Sequence, residues 1–196
     1  MKIPGKGFMM GNSNLEFNGE KVRIRKFKLS EAKDIYEHVN DKEIAQWTLT
    51  IPHPYPEEEA AKFIRKTHYQ IKTKKSYIFG IVLKDTGKVI GAVGLIKINW
   101  THKNAEAGYW VGRKYWNRGL MTEALKLLLK FSFEQLQLHR VNAYVFADNI
   151  TSMRVLEKNG FQREGEVREA ICKYETWKNL LIYGILRTDY KKYASS

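Results

Sequence analysis

The stretch "YWNRGLMTEALKLLLKF", Tyr115 to Phe131, joins a basic, glycine-containing turn to the start of an apolar helical repeat. The first backbone N–H groups of a helix have no internal partners, and the helix dipole is positive at that end. The segment from Arg118 to Thr122 is therefore a candidate anion cradle. A second polar pair lies downstream, where Asn149 suits the N-cap of a short helix and Ser152 falls in its first turn. The other reactive residue types form no constellation. His38, His53, His68, His102 and His139 are scattered without ligand spacing, so no metal is expected. Cys172 is the only cysteine, and beside Ala170 and Ile171 it reads as core packing rather than as an activated nucleophile. The chain lacks G-x-x-x-x-G-K-[ST] and G-x-S-x-G, which removes the usual NTPase and hydrolase readings.

The elements that must position these residues follow from hydrophobic periodicity. "KVRIRKF" suits an edge or half-buried strand. Ser30 is a fitting N-cap for a helix with Leu29, Ala32, Ile35, Tyr36 and Val39 at helical spacing. The three prolines of "NDKEIAQWTLTIPHPYP" imply a loop that wraps over something. Pro56 at a first helical position, then Glu57 to Glu59, and finally Lys72, Lys74 and Lys75 match the dipole of a second helix. Two apolar runs separated by "KDTGK" predict a hairpin of central, covered strands, and "NAEAGYWVG" a further strand. The helix after Gly119 keeps one narrow polar stripe, Glu123, Lys126, Lys130, Glu134 and Gln137, and must be largely buried. "HRVNAYVFA" predicts a strand, Asn149 starts a short helix ending at "NGF", and two closing strands complete the chain. The order is that of a mixed α/β layered fold.

At 196 residues the chain fits one domain, and 43% hydrophobic content is ample for a core. We place that domain over residues 21–190, with 1–20 as an extension and 191–196 as a tail. The start holds no long apolar run, so neither a signal peptide nor a membrane anchor is readable there. A net charge of +13 favours anionic partners. A single cysteine excludes an internal disulfide framework and makes a cytoplasmic home the default expectation.

"GYWVGRKYWNRGLMTEAL", a strand, "NITSMRVLEKNGF" and then closing strands resemble the GCN5-related N-acetyltransferases, in particular the RimJ/RimL-type branch of ribosomal-protein N-terminal acetyltransferases. The resemblance spans roughly Lys21 to Tyr190. It implies an α/β (α+β layered) domain with a central mixed, twisted sheet of about six to seven strands, splayed in the middle and flanked by about four helices. It also implies acetyl-coenzyme A as cosubstrate, its pyrophosphate held in the turn before the long helix, where the family pattern is [QR]-x-x-G-x-[GA]. Here that pattern falls on Trp116, Asn117, Arg118, Gly119, Leu120 and Met121, with only the glycine kept strictly. Asn117 replaces a glycine of the branch, and asparagine tolerates left-handed backbone angles better than most residues. The implied cosubstrate contacts are Trp110, Val111, Arg113, Arg118, Gly119, Leu120, Met121, Thr122, Asn149 and Ser152.

By the same resemblance Glu106 is the proton acceptor, acting directly or through water. A bulge in the strand carrying "YWVG" turns an N–H near Val111 toward the thioester. Many relatives place a tyrosine acid where this chain has Leu156, which leaves Ser152 as the hydrogen-bond donor to the departing thiolate. Tyr109 and Trp110 read equally well as core aromatics. "WTLTIPHPYP" and "REAICKYETWKN" are expected to flank the acceptor mouth. The acceptor is an amine, expected at the N-terminus of a ribosomal or other acidic protein. Small-molecule acetylation and a non-catalytic, ribosome- or RNA-binding module on the same fold are the alternatives. No membrane partner is expected, nucleic acid enters only through a ribosomal context, and the apolar closing strands leave a homodimer possible.

Overall fold

The computed structural model describes residues 15–194; residues 1–14 of the expected extension and 195–196 of the tail lie outside the described residues. The elements are β1 (Glu16–Asn18), β2 (Val22–Arg25), α1 (Ala32–Val39), α2 (Lys42–Gln46), α3 (Glu57–Lys72), β3 (Tyr77–Leu83), β4 (Val89–Asn99) and β5 (Asn104–Val111). There follow α4 (Leu120–Lys130), β6 (Arg140–Phe146), α5 (Ile150–Glu157), β7 (Gln162–Lys173), β8 (Thr176–Leu186) and α6 (Arg187–Ala194). The eight strands form one sheet in the order β1-β2-β3-β4-β5-β6-β8-β7. Among the described residues this exceeds the expected strand and helix numbers. The added strand β1 lies within the segment assigned to the extension, and pairs antiparallel with β2. β2 is consequently an inner strand, with Val22 and Ile24 fully buried, rather than an edge. The proline-rich patch contains the short helix α2, capped by Asp41 Oδ1, which accepts from Glu43 N at 2.9 Å. Pro56 is the N-cap of α3, one position ahead of the expected N1. Ser30 lies in a 3₁₀ turn ahead of α1, which Glu31 Oε2 closes by accepting from Lys28 N at 2.7 Å; Glu31 stands at the N-cap of α1 without a side-chain cap bond to it.

Helices cover both faces of the sheet. On one side α4 packs into the larger core, with Leu125, Leu128 and Phe131 buried against Phe79 and Val93. On the other, α1 and α3 bury Ile35 and Ile64 against Phe27, Val82 and Val89. This is the layered α/β arrangement that the periodicity predicts.

One junction matters most for function. β5 and β6 form the only parallel pair in the sheet of the described residues, and their register runs only through Asn104–Arg140, Ala105–Val141 and Glu106–Asn142. Beyond Glu106 and Asn142 the two strands part, while β5 stays paired with β4 up to Val111 and β6 with β8 up to Phe146. The sheet is thus split along its middle, as expected. The bulges next to β5 are elsewhere than expected, on β4: Gly91 faces Ile81 and Val89 faces Val82, so Ile90 is an extra residue, and a second extra residue lies between Ile96, which faces Glu106, and Asn99, which faces Asn104. Backbone amides and carbonyls along the parted edges are free of sheet partners in that gap, which makes it a place for another polar chain to enter.

Candidate active site

The turn into α4 is built from two left-handed residues, Asn117 at φ +57° and Gly119 at φ +75°. Asparagine and glycine are the residues that adopt such angles at least cost. The expectation for Asn117 therefore holds. The first intrahelical bond runs from Glu123 N to Gly119 O at 3.1 Å, so helix geometry leaves the amides ahead of it without intrahelical acceptors. A side chain on Gly119 would meet nothing within 4 Å, so the helix start faces open space. Trp116, which stands where a polar residue is usual, anchors the turn: its Nε1–H donates to Val111 O at 2.8 Å and ties the turn to the end of β5. Glu123 fastens the first turn of α4 from the other side, accepting from Lys21 N at 2.9 Å.

A cleft of about 440 Å3 opens in front of this helix start. Along its walls lie Trp110, Val111, Arg118, Gly119, Leu120, Met121, Thr122, Asn149 and Ser152, all but one of the expected cosubstrate contacts. Arg113 is the exception. Its Nε is 3.0 Å from Asp41 Oδ2, so its guanidinium holds the start of α2 and does not line the cleft. Arg154 and Lys158, one α5 turn apart, line the cleft with Arg118. The spacing of "RVLEK" on a helix beside an anion cradle was a signal available in the sequence.

The two walls are held at a set distance by Asn159, which is fully buried. Its Nδ2 donates to Thr122 O on α4 at 3.2 Å and to Val155 O on α5 at 2.9 Å. Asn149 caps α5 as expected, accepting from Ser152 N at 3.0 Å. Ser152 in turn meets the Tyr109 phenol, with Oγ and Oη 2.8 Å apart. Tyr109 therefore belongs to the site and not only to the core. Burial pushes its phenol above the ordinary tyrosine value, so it stays protonated at any physiological pH. Leu156 is buried and offers no acid.

Past Tyr109 and Ser152 the cleft adjoins a second, smaller hollow of about 60 Å3 between the parting strands, lined by Trp47, Leu49, Gly108, Tyr144, Phe146 and Leu180 among others. The two segments expected to flank the mouth meet here: Trp47 and Thr48 line the cleft, and Lys173 Nζ donates to Thr48 O at 2.8 Å. Burial holds the Lys173 ammonium below the usual lysine value. Glu106 is buried, but its carboxylate lines neither hollow; Oε2 sits 2.9 Å from Lys97 Nζ. It lies two positions along β5 from Gly108, on the same face of the strand. Cys172 is exposed on β7, not packed in the core, because β7 is the outermost strand of the sheet.

The split sheet, the left-handed turn at a helix start and the cleft joining them form one continuous site, open to an anion at the turn and to a polar chain at the gap. The chain belongs to the GNAT acetyltransferase family, whose domain model, "Acetyltransferase (GNAT) domain", matches residues 21–162. It is an N-acetyltransferase, and the family's cosubstrate is acetyl-CoA. "Probable N-acetyltransferase YjcK" of Bacillus subtilis is 37% identical over 128 residues, 64% of this chain and 71% of that protein. A GNAT-family acetyltransferase from Bacillus anthracis superposes with a TM-score of 0.78 at 27% identity, covering 89% of this chain and 99% of that one. The ribosomal-protein-S5-alanine acetyltransferase of Vibrio fischeri superposes with a TM-score of 0.80 at 24% identity, covering 90% and 99%. At that identity the last likeness shows the fold. Among the described residues no helix is long and apolar enough to cross a membrane.

Proposed function

We propose that this acetyltransferase is of the RimJ/RimL type and acetylates the α-amine at a protein N-terminus, by direct attack within a ternary complex. The observation that carries the acceptor class is electrostatic. Around the gap, Glu106 is engaged by Lys97, Glu164 by Arg140, and Asp148 by Lys178. Three carboxylates that would attract a polycation are each already ion-paired, and the chain as a whole carries +13. A polyamine finds poor electrostatic complementarity there. An α-amine does not need it, since its reference pKa of about 7.7 to 8.0 leaves a neutral fraction that a lysine near 10.4 lacks.

The residues fit acetyl-CoA. Amides of the α4 start, with Arg118, hold its pyrophosphate, and the parted edge of β5 at Trp110 and Val111 receives its peptide-like arm. Bound there, acetyl-CoA supplies an activated acetyl group. Val111 offers a backbone donor for charge on the carbonyl oxygen. Ser152 donates a hydrogen bond to the departing sulfur, with Tyr109 behind it. Glu106 takes up the acceptor's proton through water, since its carboxylate stands off the walls.

The test is a panel of acceptors with acetyl-CoA, read by mass spectrometry: ribosomal-type N-terminal peptides, the same peptides with blocked α-amines, free amino acids and spermidine. Acetylation should map to the α-amine of the unblocked peptides. Preference for spermidine or a free amino acid would defeat this reading, and salt-sensitive RNA binding without turnover would favour a binding module.

A further inference from the structure

On the side of the sheet that carries α1 and α3, those helices pack against β3 and β4 and leave the β6–β8–β7 portion uncovered. Register identifies what this face displays. Tyr144 stands opposite Ile182, Phe146 opposite Leu180, and Leu180 opposite Val167, so these side chains share one face across three strands. Phe146 and Leu180 are buried at its inner end, whereas Tyr144 is 41% and Val167 43% exposed, and Ile182 is half-buried. Leu49, 43% exposed, overhangs the same face from the loop that Lys173 fastens. The face is continuous with the hollow between the parted strands, because Leu49, Tyr144, Phe146 and Leu180 line both. It is bordered by the ion pairs Lys97–Glu106, Arg140–Glu164 and Lys178–Asp148.

We propose that this uncovered face binds the acceptor polypeptide itself, reading the residues that follow the acetylated N-terminus through apolar contacts with Leu49, Tyr144, Val167 and Ile182. The inference rests on the N-terminal α-amine reading and specifies it. An acceptor whose amine enters the hollow beside Tyr109 and Ser152 must trail its chain outward, and the apolar floor leads out across β8, from Phe146 and Leu180 to Val167 on β7. A small amine would end inside the hollow and leave that floor unused. A chain with apolar residues shortly after its N-terminus would cover it, and a chain with acidic residues there would bury charge against aliphatic groups that offer no partner. The specificity-determining residues are then outside the catalytic pair, on strands β6 to β8.

The experiment compares peptides with a common N-terminal residue and either apolar or aspartate residues at the next positions, with wild type, Val167→Asp and Tyr69→Ser. Tyr69 is exposed on α3, away from the cleft and the hollow, and serves as control. KM and kcat are measured, along with calorimetric affinity of each peptide for the protein loaded with free coenzyme A. Wild type should favour the apolar peptide, and Val167→Asp should weaken its binding and raise its KM about tenfold, the size expected for losing one buried aliphatic contact. Coenzyme affinity should stay within about twofold, and Tyr69→Ser should match wild type. Peptide turnover that is indifferent both to the following residues and to Val167→Asp overturns the inference and leaves the α-amine reading standing. Absence of peptide turnover by wild type overturns both. A wild-type dimer that Val167→Asp dissociates, seen by sedimentation, would show that a second copy covers this face and would also overturn it.

Discussion

The hydroxyl pair of Tyr109 and Ser152 is the most informative contact in the cleft. The buried phenol keeps its proton, and either hydroxyl of the pair can donate to the other; when Tyr109 Oη donates to Ser152 Oγ, the serine hydrogen is free to point elsewhere. Neither hydroxyl is acidic enough to transfer a proton readily to a thiolate of pKa about 8.5, so the pair stabilises the leaving group by hydrogen bonding. A hydrogen bond of this kind is worth about 1 kcal/mol. Tyr109→Phe and Ser152→Ala should each lower kcat roughly five- to tenfold with little change in acetyl-CoA affinity. Since both act through one contact, the double variant should be no slower than Ser152→Ala; additive losses in steady-state kinetics would refute the pairing. Residue types alone pointed to Ser152 through its place after a helix cap. They were silent on Tyr109, because a tyrosine in an apolar strand is ambiguous until the opposite helix is placed. The same holds for Arg113, whose sequence position beside the turn matched an anion contact while its actual partner, Asp41, lies far off in the chain.

At the level of elements, α1 buttresses the turn that leads into α4. His38, buried on α1, sits edge-on to Tyr115 at 5.4 Å between centroids, and Gly112 leaves room for it: a Cβ there would lie 3.0 Å from the imidazole. Tyr115 in turn lies under the Arg118 guanidinium at 5.7 Å. Burial, helped by Lys114 and Lys88 and opposed by Asp34 and Glu37, holds the imidazole below its ordinary pKa. A histidine whose folded pKa is lowered binds fewer protons in the fold than when unfolded. Its neutral packing is therefore fully favourable above the unfolded value of about 6.5 and is progressively lost as pH falls below it. Thermal denaturation between pH 8 and 5 should show a midpoint that drops on the acid side, and His38→Gln should flatten that drop. An unchanged slope in the variant would assign the acid sensitivity to other groups. Gly112 was legible as a distortion-tolerant residue. Its role as a seat for His38 was not, because the two belong to elements separated by two helices and three strands.

For the whole molecule, the split sheet depends on a rigid half on which β5 can stay paired while β6 leaves. Phe131, fully buried at the end of α4, makes ring contacts with Phe17 on β1 and with Tyr77 and Phe79 on β3, at 5.2, 5.1 and 5.5 Å between centroids. One side chain thus ties the helix bearing the anion cradle to β1 and β3 of that half. Phe131→Ala should cost about 3–5 kcal/mol of stability in urea denaturation, since the cavity is enclosed by three elements that cannot collapse together. A loss of less than about 1 kcal/mol would mean that this cluster is not structural.

By itself, the sequence was sufficient for what depends on neighbours along the chain. Periodicity of 2 and 3.6 located the strands and helices, the Asn117–Gly119 turn announced an open helix start, Asn149 announced its cap, and the order of motifs announced the family. These are local because a backbone angle, a cap or an amphipathic stripe is decided within a few residues. Tertiary structure alone decided which side chains converge: Tyr109 on Ser152, Asn159 between α4 and α5, Lys173 on the loop at Thr48, and Glu106 turned to Lys97 rather than to the cleft. It also placed the sheet's gap after Glu106 and the bulges on β4. Those outcomes depend on how separate elements pack and in what register strands pair, and a one-residue shift in register sends every side chain to the opposite face.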